Sequence, residues 1–205
     1  MLSNRDQITT ILNACGAQTG AEIGVAAGSY SHHLLSTWKN VKRFYAIDLW
    51  RPQKNYIDIV NQAQAKYDLY NKTWQKLKKW KDKVVMLRMS STEALPRFQK
   101  ESLDFIYIDA RHDYCAVIED IRNYWPIVTP GGLMAGHDYV WAKGGGKVND
   151  WTLCANGTRV DGGVKRAVDE FARQNGLRVA STGYHMTSPS WLMHKPATLS
   201  STMSG

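Results

Sequence analysis

Short apolar runs alternate with helical patterns along most of this 205-residue chain, and this alternation constrains the fold more than any other feature. Seven runs have the length and composition of strands: Ala21–Gly24, Arg43–Asp48, Val84–Arg88, Leu103–Asp109, Gly132–Gly136, Leu177–Ser181 and Ser190–Lys195. Alternating strands and helices predict an α/β sandwich built on a mainly parallel sheet. Only residues 182–189 separate the last two runs, which is too short for a parallel crossover, so these strands are expected to form an antiparallel hairpin.

Apolar residues recur at helical spacing between these runs. Two sets follow the i, i+3, i+4, i+7 pattern of an amphipathic helix: Tyr114, Val117, Ile118 and Ile121, and Val164, Ala167, Val168 and Phe171. Shorter sets at residues 8–15 and 34–38 predict two more helices. A chain of this length can bury a core without metal or disulfide support, so one domain over residues 1–196 is expected, followed by a disordered tail at 197–205.

Composition and charge exclude several classes of protein. The three cysteines, Cys15, Cys115 and Cys154, are odd in number and lack metal-type spacing, so neither a disulfide scaffold nor a zinc ribbon is expected. No apolar run approaches the ~18 residues of a membrane span and no signal peptide is evident, so a cytoplasmic protein without membrane contact is expected. Residues 51–83 carry +6 of the net charge of +8, which argues against a uniformly basic nucleic-acid binder.

Polar residues and glycines cluster where the predicted strands end. Parallel sheets bind their ligands at the carboxyl ends of the strands. The residues at or just after these ends are Glu22, Gly24, Gly28, Asp48, Ser90, Ser91, Asp109, His137 and Asp138. We therefore expect one cleft to collect all of them.

The segment AEIGVAAGSYS at residues 21–31 predicts a glycine loop that runs from the first strand into a helix. Gly24 and Gly28 lack a Cβ and so permit close approach of a ligand to the backbone. Asp48 follows 20 residues after Gly28, at a strand end where a carboxylate can accept both hydrogen bonds of a ribose diol. A dinucleotide fingerprint would need glycine at positions 26 and 29, which hold alanine and serine, so NAD binding is disfavoured.

Four motifs in this order resemble the class I S-adenosylmethionine-dependent methyltransferases, in particular the small single-domain branch called methyltransferase domain 24. They are E-x-G-x-x-x-G at 22–28, I-D at 47–48, I-D-x-x-H-x-Y at 108–114 and P-G-G-x-x-x-G-H-D-Y at 130–139. Each motif is weak alone, but all four in this order at strand ends are fairly specific. The resemblance covers about residues 5–195 and implies a Rossmann-like sandwich with a mostly parallel seven-stranded sheet and an antiparallel C-terminal strand.

The resemblance also implies where the cofactor, S-adenosyl-L-methionine, would bind. Glu22 and Gly24 would neighbour its methionine part. Asp48 would hold the ribose hydroxyls, with Leu49 against the adenine face and two serines at the adenine edge. The complete set of expected cofactor-binding residues is Glu22, Gly24, Val25, Gly28, Ser29, Asp48, Leu49, Ser90, Ser91 and Asp109. Read without the resemblance, the glycines form a plain tight turn and Asp48 a helix cap.

Asp109, His137 and Asp138 end neighbouring strands and can converge. Catechol-type and macrolide-sugar O-methyltransferases, which the chain resembles, place three metal ligands at these positions, although their second ligand is a carboxylate or amide. A divalent metal is therefore expected at these three residues, and imidazole suits manganese, iron or zinc better than magnesium. His112 lies three residues after Asp109, where the catechol-type enzymes carry a lysine base, so it is the first candidate for proton acceptor.

Alternatives stay open at this cluster. His137 could act as a catalytic base without binding metal, and Asp109 is a catalytic candidate in its own right. Each residue also has a purely structural interpretation: Asp109 as a helix cap, His112 as a partner of a loop carbonyl, and the His137–Asp138 pair as polar residues at a strand end.

Two variable segments are expected to recognise the acceptor. Residues 51–83 place Tyr67, Tyr70, Trp74 and Leu77 on one helical face and lysines on another. Residues 140–163 contain Gly144–Gly146 and two tryptophans, a composition typical of a mobile loop that closes over a substrate. Ordinary packing of the first segment and disorder of the second are the simpler interpretations.

The sequence therefore predicts an enzyme that methylates an oxygen of a small molecule, with a divalent metal at the acceptor site. N-methylation, or metal-free methylation of a sugar or natural product, is the alternative within the same class. An RNA-directed methyltransferase that uses residues 51–83 is disfavoured, because the chain has no N-P-P-[YF] motif and no added binding domain. A non-catalytic cofactor-binding module is a third possibility. A nucleic-acid partner is not expected, and a homo-oligomer is left open.

Overall fold

A computed structural model describes residues 2–143, 149–185 and 188–197. The strands are β1 (Thr19–Ile23), β2 (Arg43–Asp48), β3 (Val84–Arg88), β4 (Leu103–Ile108), β5 (Val128–Gly136), β6 (Val179–His185) and β7 (Ser188–His194). The helices are α1 (Ile8–Ala14), α2 (Ser29–Thr37), α3 (Ile59–Lys66), α4 (Leu69–Leu77), α5 (Ser91–Ala94), α6 (Tyr114–Tyr124) and α7 (Gly163–Gln174). The predicted tail from residue 198 onward and the glycines at 144–146 lie outside the described residues.

The strands form one sheet in the order β3-β2-β1-β4-β5-β7-β6. The first five strands are parallel, and β7 runs antiparallel to both β5 and β6. The predicted sandwich with an antiparallel C-terminal strand is therefore confirmed. The short connection after β6 permits only a hairpin, and β7 lies between β5 and β6 while β6 takes the edge.

Both faces of the sheet are covered by helices. One buried cluster packs α6 and α7 on the sheet, with Ile121, Phe171 and Trp191 among its members. The other packs α1 and α2 on the opposite face, around Leu34 and Trp38. The predicted apolar faces of these helices are thus the buried ones. In the part of the chain that the structure describes, no helix combines the length and apolar character needed to cross a membrane.

The segment 51–83 differs from the predicted amphipathic helix. It forms two short helices, because Asp58 and Asp68 each accept a hydrogen bond from a backbone amide at the start of α3 and α4. The buried face of α4 consists of Leu69, Thr73 and Leu77. Two aromatic residues expected on the packed face are instead on the surface: Tyr67 is 57% and Trp74 is 38% exposed.

Cys115, in the first turn of α6, and Cys154 form a disulfide with 5.8 Å between their Cα atoms. This bond was not expected from the sequence, because the cysteine spacing follows no recognisable framework. The pairing depends on tertiary structure, which brings the segment before α7 against the start of α6. Cys15 is exposed and free.

Loss of this disulfide is expected to destabilise the protein. The bond joins residues separated by 39 positions, and closing a loop of this size contributes roughly 2–4 kcal/mol, in the chain-entropy account through the unfolded state. Urea unfolding of a Cys115→Ser/Cys154→Ser variant should show this loss, whereas Cys15→Ser should unfold like the wild type. Equal unfolding free energies of the wild type with and without a thiol reductant would contradict the pairing.

Candidate functional site

The loop between β1 and α2 is pressed against the end of β4. Gly24 has a φ of +88°, and a Cβ on it would lie 2.1 Å from the carbonyl oxygen of Asp109. Gly28 has a φ of +72° and caps α2, where a Cβ would lie 2.9 Å from Cγ2 of Thr73 in α4. Packing within the protein therefore requires both glycines, and the loop is fixed beside Asp109.

Asp48, at the end of β2, holds the same loop. Its Oδ2 accepts hydrogen bonds from the amides of Val25 at 2.9 Å and Ala26 at 2.8 Å, and its Oδ1 accepts one from the amide of Trp50 at 2.7 Å. Sequence reasoning missed this structural role, because it depends on the direction of loop amides. Nε2 of Gln64 donates a longer hydrogen bond of 3.4 Å to Oδ1. A carboxylate can accept about four hydrogen bonds, so a ligand on Oδ1 would take the place of Gln64.

A cavity of about 510 Å³ opens at the carboxyl ends of the central strands. Its volume lies within the range of small-molecule sites. The predicted cofactor-binding residues that line it are Glu22, Gly24, Val25, Ser29, Asp48, Leu49, Ser90, Ser91 and Asp109. Gly28 supports the loop but does not line the cavity. The structure thus gathers around one cavity nine residues that are widely spaced in the sequence.

Glu22 lines this cavity and is only 2% exposed. The hydroxyl of Ser31 donates a hydrogen bond to its carboxyl group. Burial raises the pKa of Glu22 to about 8, although Ser31 and Arg5 act in the opposite direction. A cationic group bound beside Glu22 would therefore favour the charged form of this carboxyl.

Asp109, His137 and Asp138 meet at the carboxyl ends of β4 and β5. These strands are parallel neighbours with Ile108 opposite Gly136, so the residues that follow them lie side by side. One ligand atom from each of the three side chains lies within 4.8 Å of the others. Nε2 of His137 is buried and has no hydrogen-bond partner in the described residues. The His137 nitrogen that faces Asp138 is Nδ1, 3.3 Å from Oδ2. One imidazole beside two carboxylates fits the donor set of a divalent cation.

His112 lies among three carboxylates. Its Nε2 is 3.1 Å from Oδ2 of Asp138 and 3.3 Å from Oδ1 of Asp109. Its Nδ1 is 2.8 Å from the hydroxyl of Tyr56 and 3.7 Å from Oδ2 of Asp58. Burial lowers the pKa of His112, but the surrounding carboxylates outweigh burial and raise it to about 10. The imidazole therefore keeps its proton at neutral pH while these carboxylates face it.

The two variable segments meet over His112. Nε1 of Trp151 donates a hydrogen bond of 2.9 Å to Asp58, and the Trp151 ring lies 4.5 Å from the His112 ring, centre to centre. A β-bridge between Ile57 and Asp150 joins the segments. The sequence analysis placed both segments near the acceptor but did not select Asp58 or Tyr56. Asp58 carried a signal that was available, since it is a helix-capping residue directly before α3.

Arg5, from the segment before α1, also reaches the cavity. Its Nη1 is 3.2 Å from Oδ2 of Asp109, and its guanidinium lies 4.5 Å from the centre of the Tyr30 ring. Asp109 therefore faces a guanidinium with one oxygen and the imidazole of His112 with the other. Sequence reasoning missed Arg5, because a single arginine outside any motif or periodic pattern gives no signal.

The lysines of residues 66–83 are all exposed, and none of them lines the cavity. The residues of the first variable segment that line it are Gln53, Tyr56, Val60, Asn61 and Gln64. The segment therefore presents neutral side chains to the cavity and its positive charge to the surface.

The strand order, the antiparallel β7 and the glycine loop beside an acidic strand end define a class I methyltransferase fold. A family model described as "Methyltransferase domain" matches residues 21–139, which is more than half of the chain. The chain belongs to this family and is an S-adenosylmethionine-dependent methyltransferase.

Several solved structures share this fold. Cofactor-bound Rv0187 from MTB superposes with a TM-score of 0.63 and 14% identity, over 93% of this chain and 79% of that one. An O-methyltransferase from Bacillus cereus in complex with SAH superposes with a TM-score of 0.61 and 14% identity, over 93% of this chain and 80% of that one. The N-methyltransferase NodS from Bradyrhizobium japonicum WM9 superposes with a TM-score of 0.57 and 17% identity, over 94% of each chain. At sequence identities this low, the structural similarity shows the fold alone. No curated protein sequence matches the chain.

Proposed function

We propose that this methyltransferase modifies an oxygen of a small-molecule acceptor, with Asp109, His137 and Asp138 as ligands of a divalent cation. The observation that carries the proposal is the convergence of these three donors within 4.8 Å, next to a cavity that Asp109 itself lines. Nδ1 of His137 lies 3.3 Å from Oδ2 of Asp138, so the imidazole and this carboxylate are close enough to bind one cation.

A divalent cation at this position would bind the acceptor hydroxyl and lower its pKa. The donor set combines one imidazole with two carboxylates, which favours manganese, iron or zinc over magnesium. Asp138 has a φ of +52°, an uncommon conformation for a residue other than glycine. Oδ2 of Asp138 lies 3.1 Å from Nε2 of His112 and 3.3 Å from Nδ1 of His137.

The chain's own residues orient the acceptor and exclude water. In the transfer step, a lone pair of the acceptor oxygen forms the new C–O bond while the S–CH₃ bond breaks, and the hydroxyl proton leaves. Holding the two reacting groups in line supplies several kcal/mol of the barrier. His112 is the proposed proton acceptor, because a cation on Asp109 and Asp138 would neutralise two of the carboxylates that hold its proton and would free the imidazole to accept the hydroxyl proton. Trp151 covers its ring and limits the access of water.

The proposal is tested by offering methyl-¹³C S-adenosylmethionine with paired acceptors: catechol, a hydroxycinnamic acid and a hydroxylated sugar, each beside its amine analogue. We expect new methoxy carbon resonances with at least one hydroxyl acceptor and a dependence on added Mn²⁺. Labelled methyl groups found only on nitrogen, or labelling that is unaffected by complete removal of divalent metal, would contradict the proposal.

A further inference from the structure

A second, more open cavity of about 520 Å³ lies beside the cofactor cavity, at the carboxyl end of β3. Three of the six residues that line it are arginines: Arg51, Arg88 and Arg97. Arg88 is the last residue of β3 and lies opposite Asp48 of β2. Arg51 follows β2, and Arg97 ends the turn after α5. The fold therefore brings three guanidinium groups from separate segments to the edge of the sheet where parallel strands bind their ligands.

The protein itself provides little to neutralise this arginine cluster. Among the described residues, the side chains of Arg51 and Arg97 form no hydrogen bond and no ion pair. Arg88 lies over the ring of Tyr70, with its guanidinium carbon 5.1 Å from the ring centre. All three arginines are exposed. Because like charges held close together repel each other, an anionic ligand that contacts all three would be bound favourably.

Two carboxylates lie near the cluster, and both accept hydrogen bonds from other groups. Glu93 lines the same cavity, but its Oε2 accepts hydrogen bonds of 2.8 Å from both the amide and the hydroxyl of Ser90. These hydrogen bonds lower the pKa of Glu93, and Arg51 acts in the same direction. Hydrogen bonds in the first turn of α4 likewise lower the pKa of Asp68, with a smaller effect from Arg88. Neither carboxylate forms an ion pair with an arginine of the cluster in the described part of the chain.

The charge of this cavity indicates the kind of ligand that it suits. Three guanidinium groups and one carboxylate give the lining a net charge of +2. A phosphate monoester carries about −1.5 to −2 at neutral pH, whereas each phosphate diester of a nucleic acid carries a single negative charge. Guanidinium groups bind phosphate oxygens through paired N–H donors. A phosphate monoester therefore matches both the charge and the donors of the arginine cluster.

We propose that Arg51, Arg88 and Arg97 bind the phosphate monoester group of a small-molecule ligand. Leu49 and Met89 line both cavities, so this ligand lies against the wall of the cofactor cavity. Three strand spacings of about 4.8 Å separate β3 from β4, which places the phosphate about 14 Å from the end of β4. The phosphate site is therefore separate from the proposed cation site, and the inference does not depend on which atom of the acceptor is methylated.

Calorimetric titration with glycerol 3-phosphate, at neutral pH and fixed ionic strength, tests the proposal. S-adenosylhomocysteine is present at saturation, so that the probe cannot enter the cofactor cavity. Dimethyl phosphate, a diester with one negative charge, is the comparison ligand. The wild type should bind glycerol 3-phosphate about ten-fold or more tighter than dimethyl phosphate, because the second charge strengthens the hydrogen bonds from the guanidinium groups.

Variants of the lining should change this affinity in opposite directions. Arg51→Gln and Arg97→Gln should each weaken glycerol 3-phosphate binding by about ten-fold or more, the scale of a lost hydrogen bond to a charged group. Glu93→Gln should strengthen it, since the change removes a negative charge from the lining while glutamine can still accept a hydrogen bond from Ser90. Arg122→Gln, a change of an exposed arginine that lines neither cavity, is the matched control and should bind like the wild type. Unchanged S-adenosylhomocysteine affinity shows that the arginine variants fold.

Three outcomes would overturn the inference. The wild type shows no saturable binding of glycerol 3-phosphate in the millimolar range, or Arg51→Gln and Arg97→Gln bind it as tightly as the wild type. The third is equal affinity for dimethyl phosphate, which would indicate a general surface for phosphate diesters such as a nucleic-acid backbone. If the wild type does not bind S-adenosylhomocysteine, the cofactor assignment is wrong, and the same comparison of variants without it still tests the arginine cluster.

Discussion

Replacing Asp138 by asparagine is expected to lower methyl transfer by about 10²-fold or more, the scale of a lost general-base or metal contribution. Asparagine has the same shape and tolerates the left-handed backbone at this position, where φ is +52°, so the variant should fold. It removes one anionic ligand of the proposed cation site and one carboxylate that contacts His112 at 3.1 Å. Steady-state kinetics with Mn²⁺ and elemental analysis of the purified variant measure both effects.

The control separates the acceptor chemistry from cofactor binding. S-adenosylhomocysteine affinity should stay within a few fold in Asp138→Asn, because Asp138 does not line the cavity. Glu101→Gln, a change of an exposed carboxylate that does not line the cavity, should have wild-type turnover. Wild-type turnover by Asp138→Asn, with stoichiometric metal still bound, would show that the cluster does not hold the cation.

Gly24→Ala is expected to produce the second large effect, a loss of roughly 2–5 kcal/mol in unfolding free energy from a disfavoured backbone angle plus overpacking. The new Cβ would lie 2.1 Å from the Asp109 carbonyl oxygen and 2.5 Å from the Ala110 Cα, so the glycine loop and the end of β4 would have to separate. Cofactor binding should fall with stability, since the loop and Asp109 both line the cavity. Urea unfolding and calorimetry with S-adenosylhomocysteine measure the two losses.

Gly131→Ala is the matched control for Gly24→Ala. Gly131 has a similar φ of +79°, but a Cβ there would meet nothing within 4 Å. Gly131→Ala should therefore lose only about 1–2 kcal/mol of unfolding free energy, from the disfavoured backbone angle. Its cofactor affinity should be unchanged. If the two variants lose the same stability, close packing against β4 is not what requires glycine at position 24.

The mainly parallel sheet and the grouping of polar residues at its strand ends were accessible from the sequence. Parallel strands end at one edge, so Asp109, His137 and Asp138 were expected on that edge, and the family resemblance placed them together as metal ligands. The hairpin at the C-terminus followed from the short connection alone. The alternation of strands and helices and the short C-terminal connection can both be recognised in a single sequence, because they depend only on periodicity and spacing.

Other features of the site depend on contacts between distant parts of the chain. Arg5 reaches Asp109 across 104 positions, and Trp151 reaches Asp58 across 93. The Cys115–Cys154 disulfide likewise joins residues 39 positions apart, and Nη2 of Arg111 donates a hydrogen bond to the neighbouring Leu153 carbonyl oxygen. No local sequence pattern predicts such long-range pairs. The break between α3 and α4 was different, because Asp58 and Asp68 are capping residues that a closer examination of the sequence could have identified.

A crystal structure of the protein with S-adenosylhomocysteine tests the central claim most directly, namely that the cavity holds the cofactor and directs its methyl group toward the Asp109 cluster. We expect the ribose hydroxyls beside Asp48, the amino-acid part beside Glu22, and the sulfur facing Asp109 and His112. Adenosine bound outside this cavity, or a sulfur that points away from Asp109 and His112, would contradict it.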